Sequence, residues 1–135
     1  MRRRLNFLKT AFLTFSLLFI GSILTSCKKD NPNPYVNFTL DLNESSNSAL
    51  RMPGGSVVSN GAIIVRYSNS YLAFSNSCTY DGCGLSYSSI SNRFICSCDG
   101  SEFDINGRYL SGSPSPNIPQ FNVTQNGSLL TIISK

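Results

Sequence analysis

CTYDGCGLSYSSISNRFICSCDGSEFD, Cys78 to Asp104, is the stretch on which the reading of this chain turns. It holds four cysteines in two short loops, CTYDGC at Cys78–Cys83 and CSCDGS at Cys96–Ser101, with a short hairpin-like run between them. Four thiolates in two loops are compatible with a metal site. Yet neither cysteine pair has the Cys-x2-Cys spacing of the usual structural zinc knuckle. The other reading is two disulfides, and the two readings differ in the redox compartment they require.

Working outward, the chain alternates like strands. YVNFTLDL, from Tyr35, sets Val36, Phe38, Leu40 and Leu42 against polar neighbours, a period of two. NESSNS reads as a loop, and the Pro53–Ser56 cluster as a turn. AIIVRYSNSYLAFS reads as a hairpin, two β-rich runs about a Ser-Asn-Ser turn. Further short strands are expected at Leu85–Ser88, Arg93–Cys96, Glu102–Ile105, Phe121–Thr124 and Leu129–Ile133. The last pair is joined by Gln125-Asn126-Gly127, where Asn-Gly is a hairpin signal. Helical periodicity is absent beyond the amino terminus, and turn residues recur every few residues. A small all-β sandwich or barrel of residues 35–135 follows.

The amino terminus sets the compartment. MRRRLNFLKTAFLTFSLLFIGSILTSC has a cationic head and an apolar run from Ala11 to Leu24. That run is shorter than the roughly 18 residues that a membrane-spanning helix needs, and the pattern is that of an export signal. Leu24-Thr25-Ser26-Cys27 resembles the bacterial lipobox. The resemblance implies a signal peptide at 1–26, lipid on Cys27, and a Pro-rich tether at 27–34. Multiple acyl chains on one residue would hold the protein at a membrane, in the cell envelope, on its periplasmic or outer surface. The signal also takes Arg2, Arg3, Arg4 and Lys9 with it. That is four of the eleven basic residues, leaving seven against the seven acidic ones. A balanced remainder gives no footprint for nucleic acid. With Cys27 lipidated, four of the five cysteines remain, and an oxidising compartment favours pairing them.

The two loops with their flanks resemble the Rieske iron–sulfur family. Its pattern, Cys-x-His and then Cys-x-x-His about sixteen residues on, falls on Cys78-Thr79-Tyr80 and Cys96-Ser97-Cys98-Asp99. The resemblance continues upstream through IIVRYSNSYLAFSNSC. Downstream it runs through GSEFDINGRYLSGSPSPNIPQFNV, where Ser113-Pro114-Ser115-Pro116 matches the family's Pro loop. It implies a Rieske-like antiparallel β-sandwich or barrel with a small two-loop subdomain at about 76–102. In the members from quinol-oxidising complexes each loop carries an extra cysteine, and here Cys83 and Cys98 stand at those positions. The resemblance thus implies a Cys83–Cys98 disulfide.

Where the family has histidines, this chain has Tyr80 and Asp99, and it contains no histidine at all. A Rieske cluster takes two thiolates on one iron and two imidazoles on the other. Tyr80 would carry its oxygen past the iron, and the position that often holds a tyrosine hydroxyl near a ligand sulfur is Phe103. The resemblance therefore implies the family ligand positions Cys78, Tyr80, Cys96 and Asp99 without a metal, and a second bridge between Cys78 and Cys96. The missing histidine also excludes Ser-His-Asp and Cys-His catalysis. The carboxylates, Asp81 among them, read as solvated loop groups, and Asp104 as an acceptor of turn hydrogen bonds. The expected function is a membrane-anchored, disulfide-stapled binding or structural module, not an enzyme, with an unidentified protein partner and no cofactor. Two alternatives remain. One is a [2Fe–2S] electron carrier ligated by Cys78 and Cys96 with non-histidine partners. The other is thiol–disulfide exchange by the Cys78–Cys96 pair.

Overall fold

A computed structural model describes residues 35–135. The expected signal at 1–26, the lipidation site Cys27 and the tether at 27–34 lie outside the described residues. Ten strands follow one another: β1 Asn37–Asp41, β2 Ser56–Ser59, β3 Ala62–Tyr67, β4 Ser70–Ser75, β5 Leu85–Ser88, β6 Arg93–Cys96, β7 Glu102–Phe103, β8 Tyr109–Ser111, β9 Gln120–Asn126 and β10 Leu129–Ile133. They form a six-stranded sheet in the order β1-β10-β9-β4-β3-β2 and a four-stranded sheet in the order β5-β6-β7-β8. Every pairing is antiparallel. The expected all-β fold is the one observed. Among the described residues no helix is long and apolar enough to cross a membrane.

β3 explains how the site acquires a floor. Successive strand residues point to opposite faces, and Ala62, Ile63, Ile64 and Val65 are all buried. Ala62 and Ile64 join Leu40, Leu50, Ala73, Phe121, Leu130 and Ile132 in one core. Ile63 and Val65 join Phe74, Leu85, Phe94, Phe103 and Ile118 in the other, together with Cys78 and Cys96. The first core draws on both ends of the large sheet, so that sheet curls over it. β9 makes the join, because Asn122–Asn126 pair with β10 while Gln120 and Phe121 pair with β4. The second core lies between the large sheet and the small one. There Phe74 meets Phe94 at 4.8 Å between ring centroids. Each fully buried phenylalanine stabilises the packing by about 1.5–3 kcal/mol.

Several elements depart from the expected pattern. NESSNS is not plain loop, for Ser45–Arg51 winds as a 3-10 helix with Leu50 fully buried. Asn47 holds its start by donating to the Asp41 carbonyl at 2.9 Å, and Arg51 donates to the Leu42 carbonyl at 2.8 Å. β2 and β8 were not expected. β2 enters a tight hairpin to β3 through Asn60 and Gly61, at φ 48° and 77°, the backbone of a type I′ turn. β7 stops at Phe103 rather than Ile105. The Asp104 carboxylate takes the backbone N–H groups of Asn106 and Arg108 at 2.8 and 2.9 Å, turning the chain. The β9–β10 turn is one residue later than Asn126-Gly127 implied. Asn126 pairs with Leu129, and Gly127 opens the turn at φ 60°.

Candidate functional site

The β5–β6 hairpin carries a cysteine loop at each open end, and the two loops have the same backbone. The Cys78 N–H bonds the Cys83 carbonyl at 2.6 Å, and the Gly82 N–H bonds the Cys78 carbonyl at 2.8 Å. In the second loop the Cys96 N–H bonds the Ser101 carbonyl at 2.8 Å, and the Gly100 N–H bonds the Cys96 carbonyl at 3.0 Å. Gly82 and Gly100 both turn at positive φ, 78° and 71°, a region open to glycine at no steric cost. The loops match residue for residue: Cys78 with Cys96, Asp81 with Asp99, Gly82 with Gly100. Each aspartate also closes the same turn. Asp81 Oδ1 accepts the Cys83 N–H at 3.0 Å, and Asp99 Oδ1 accepts the Ser101 N–H at 2.9 Å.

Cys83 and Cys98 are joined by a disulfide with a Cα–Cα separation of 6.0 Å, inside the ordinary range. The expected second bridge is not formed, since Cys78 and Cys96 are free buried thiols. Their sulfurs are engaged otherwise. The Tyr80 backbone N–H donates to the Cys78 sulfur, and the Cys78 thiol donates to Cys96. Cys96 Sγ lies 3.5 and 3.8 Å from the two carboxylate oxygens of Asp81. Burial first, and then the bond to Cys96, push the Cys78 thiol up from 9.0 to about 12. The Ser101 N–H, helped by its hydroxyl, holds the Asp99 carboxyl down at about 2.

Of the expected ligand positions, Cys78, Cys96 and Asp99 converge, and Asp81 converges with them. One donor atom from each of Cys78, Asp81, Cys96 and Asp99 lies within 4.8 Å of all the others. The two cysteines are 1% exposed and the two aspartates are exposed, while Tyr80 is 52% exposed. Asp81 was expected to be a solvated loop carboxylate. The signal that would have marked it is the repeat Cys-x-x-Asp-Gly, present at Cys78–Gly82 and again at Cys96–Gly100.

The segment Ser113–Pro116 is hydrogen-bonded to both loops. The Thr79 hydroxyl contacts Ser115 Oγ and donates to the Pro116 carbonyl at 2.6 Å. Ser101 Oγ accepts the Ser113 N–H at 3.1 Å. Gly112 makes that approach possible: at φ 105°, a Cβ there would meet Ser101 Cα at 2.6 Å. Tyr109 adds a bond from its hydroxyl to the Gly112 carbonyl at 2.7 Å. Phe103 sits fully buried against Tyr109, edge on at 6.1 Å.

Comparisons with known proteins agree with this fold. Residues 39–122, more than half of the chain, match the family model of the Rieske [2Fe-2S] domain. The cytochrome b6-f complex iron-sulfur subunit of Prochlorococcus marinus (strain AS9601) is 46% identical over 39 residues, 29% of this chain and 21% of that protein. The chain thus matches only about a fifth of the length of that relative. The plasma membrane Rieske protein PetC3 from Synechocystis PCC 6803 superposes with a TM-score of 0.55 at 21% identity, covering 73% of this chain and 99% of that one. The ferredoxin of carbazole 1,9a-dioxygenase from Nocardioides aromaticivorans IC177 gives 0.54 at 18% identity, covering 75% and 98%. At those identities the likeness is one of fold.

A Rieske cluster sets two thiolates on one iron and two imidazoles on a second. The donors present do not fit it. No imidazole exists in the chain, and the four donor atoms that lie within 4.8 Å of one another are two sulfurs and two carboxylate oxygens.

Proposed function

We propose that this chain, which belongs to the Rieske [2Fe-2S] domain family, acts without the family's cluster as a membrane-anchored, disulfide-stapled binding or structural module of the cell envelope. The observation that carries this reading is the composition of the four-donor site, two thiols and two carboxylates where the cluster takes two imidazoles. Membrane attachment rests on the lipobox-like Leu24–Cys27. It accords with relatives described as a cytochrome b6-f subunit and a plasma membrane protein. The absence of histidine removes the commonest general base, and action by binding rather than by catalysis is part of this proposal. A protein partner at the envelope surface is part of the same proposal.

A second reading, electron transfer through a [2Fe–2S] cluster on Cys78 and Cys96, is favoured by the cytochrome b6-f relatives. Iron, acid-labile sulfide and the visible spectrum of aerobically purified protein separate the two. We expect a colourless protein without sulfide. Two irons and two sulfides per chain, with visible absorption, would establish the electron carrier instead. For the anchor, Cys27→Ser is expected to abolish incorporation of labelled fatty acid, and undiminished labelling would sink that part of the proposal.

A further inference from the structure

We propose that Cys78, Asp81, Cys96 and Asp99 form a mononuclear site for a tetrahedral divalent metal ion of zinc type. The inference deepens the reading above and rests on it, since the same two thiolates cannot also hold an iron–sulfur cluster. Its first support is distance. Sulfur and oxygen donors about 2.0–2.3 Å from one zinc ion lie roughly 3.3–3.8 Å apart at tetrahedral angles. The four donor atoms already lie within 4.8 Å of one another with no ion among them, so closure needs only small side-chain rotations.

The second support is the repeated frame. Structural zinc sites commonly take paired ligands at Cys-x2-Cys spacing. Here the spacing occurs twice as Cys-x2-Asp, at Cys78–Asp81 and Cys96–Asp99, on loops with equivalent backbones. The third is burial. Cys78 and Cys96 are each 1% exposed and carry free thiols, so the soft half of the donor set is dry and fixed. The Cys83–Cys98 disulfide holds the two loops face to face.

Donor chemistry selects the ion. Thiolates favour zinc over magnesium or calcium, and carboxylates are accepted by zinc as well. Two thiolates and two carboxylates outweigh a divalent charge, and the loops offset that excess. The Cys83 and Ser101 N–H groups bond Asp81 and Asp99, and the Tyr80 N–H bonds Cys78. Such outer contacts orient ligands and tune a site. The carboxylates also remain at the solvent edge, where water screens them. On binding, both thiols release their protons to solvent, so affinity falls at low pH.

The test uses the full chain in mild detergent without air, with the Cys83–Cys98 bridge intact and Cys78 and Cys96 as free thiols. After chelation it is titrated with Co2+, which takes the same donors as zinc and is coloured. One Co2+ per chain is expected, with thiolate-to-cobalt charge-transfer absorption and the visible bands of a tetrahedral ion, all displaced by one equivalent of Zn2+. Cys78→Ser should weaken the charge-transfer band. Asp81→Asn should lower Zn2+ affinity at least tenfold, whereas Glu102→Gln, whose carboxylate pairs with Arg93 outside the site, should leave it unchanged. A folded chain that keeps the Cys83–Cys98 bridge, has Cys78 and Cys96 as free thiols and gives no cobalt spectrum overturns the metal site alone. So does an Asp81→Asn variant with parental affinity, which would remove Asp81 from the donor set. Two irons with two sulfides in the isolated protein would overturn both this site and the cluster-free reading beneath it.

Discussion

Removing the Cys83–Cys98 bridge is the most direct probe of what holds the site together. The perturbation is Cys83→Ser with Cys98→Ser, made in a Cys78→Ser/Cys96→Ser background so that no thiol in the domain can reshuffle. The bridged residues are 15 apart in sequence, and closing a loop of that length in the unfolded chain is worth about 3 kcal/mol at 25 °C. For a domain of roughly 100 residues each kcal/mol moves the melting temperature by about 4–8 °C, so a fall of about 12 °C or more is expected. Urea unfolding followed by circular dichroism gives the free energy directly, provided the slope stays equal in the two proteins. The bridge ties two loops that pack on a continuous core of Phe74, Phe94 and Phe103, so the folded state is expected to keep its sheets. A loss below about 1 kcal/mol at equal slope would refute the entropic argument. It would mean that the unfolded chain already keeps the β5–β6 hairpin closed.

Two further perturbations test the frame around the loops. Gly112→Ala puts a Cβ 2.6 Å from Ser101 Cα at a φ of 105°. Strain and overpacking together are expected to cost about 3 kcal/mol, read as a shifted urea midpoint, and a change within about 0.5 kcal/mol would show that the Ser113–Pro116 segment can move freely off Ser101. Far from the site, Asp41 Oδ1 accepts the Asn43 N–H at 2.9 Å. That bond, with smaller help from Ser128 and Arg51, holds its carboxyl below the ordinary 3.8. A depressed folded value gives stabilisation that is present above pH 3.8 and lost as pH falls through the lower folded value. The difference in urea midpoint between the parent and Asp41→Asn should therefore narrow with acidification, and a gap constant with pH would contradict the assignment.

Much of this fold is visible in the sequence because its strands are flanked by clear punctuation. Leu85–Ser88 and Arg93–Cys96 appear with the bounds expected for them, since each short apolar run meets a glycine, asparagine or serine turn. The β3–β4 hairpin follows from its β-branched run and Ser-Asn-Ser turn. β8 escaped notice because Tyr109, Leu110 and Ser111 have no clean alternation, and pairing with β7 alone makes them a strand. β7 was expected to run two residues too far because Ile105 is apolar, while the Asp104 turn outweighs its β-propensity. At the site, motif spacing drew attention to Tyr80, two residues after Cys78. The closed turn of the first loop also presents the residue three after the cysteine, as in the second loop. That equivalence lies in two sets of backbone hydrogen bonds, which no spacing rule encodes, although the Asp-Gly pair in both loops is legible.

The division of burial within the site explains how such a scaffold tolerates a different donor set. Cys78 and Cys96 belong to the second core and touch its floor, so their places are constrained by packing as much as by ligation. Asp81 and Asp99 stand exposed at the rim, where each closes its turn by accepting a backbone N–H but is not packed into the core. Folding therefore constrains the residue type at the rim only weakly, provided each loop keeps its glycine turn and its capped N–H. The metal chemistry of the site is set by those exposed positions and by the redox state of the buried pair. An exchange of rim residues would alter what the loops bind while leaving both sheets, the disulfide and the Ser113–Pro116 segment in place.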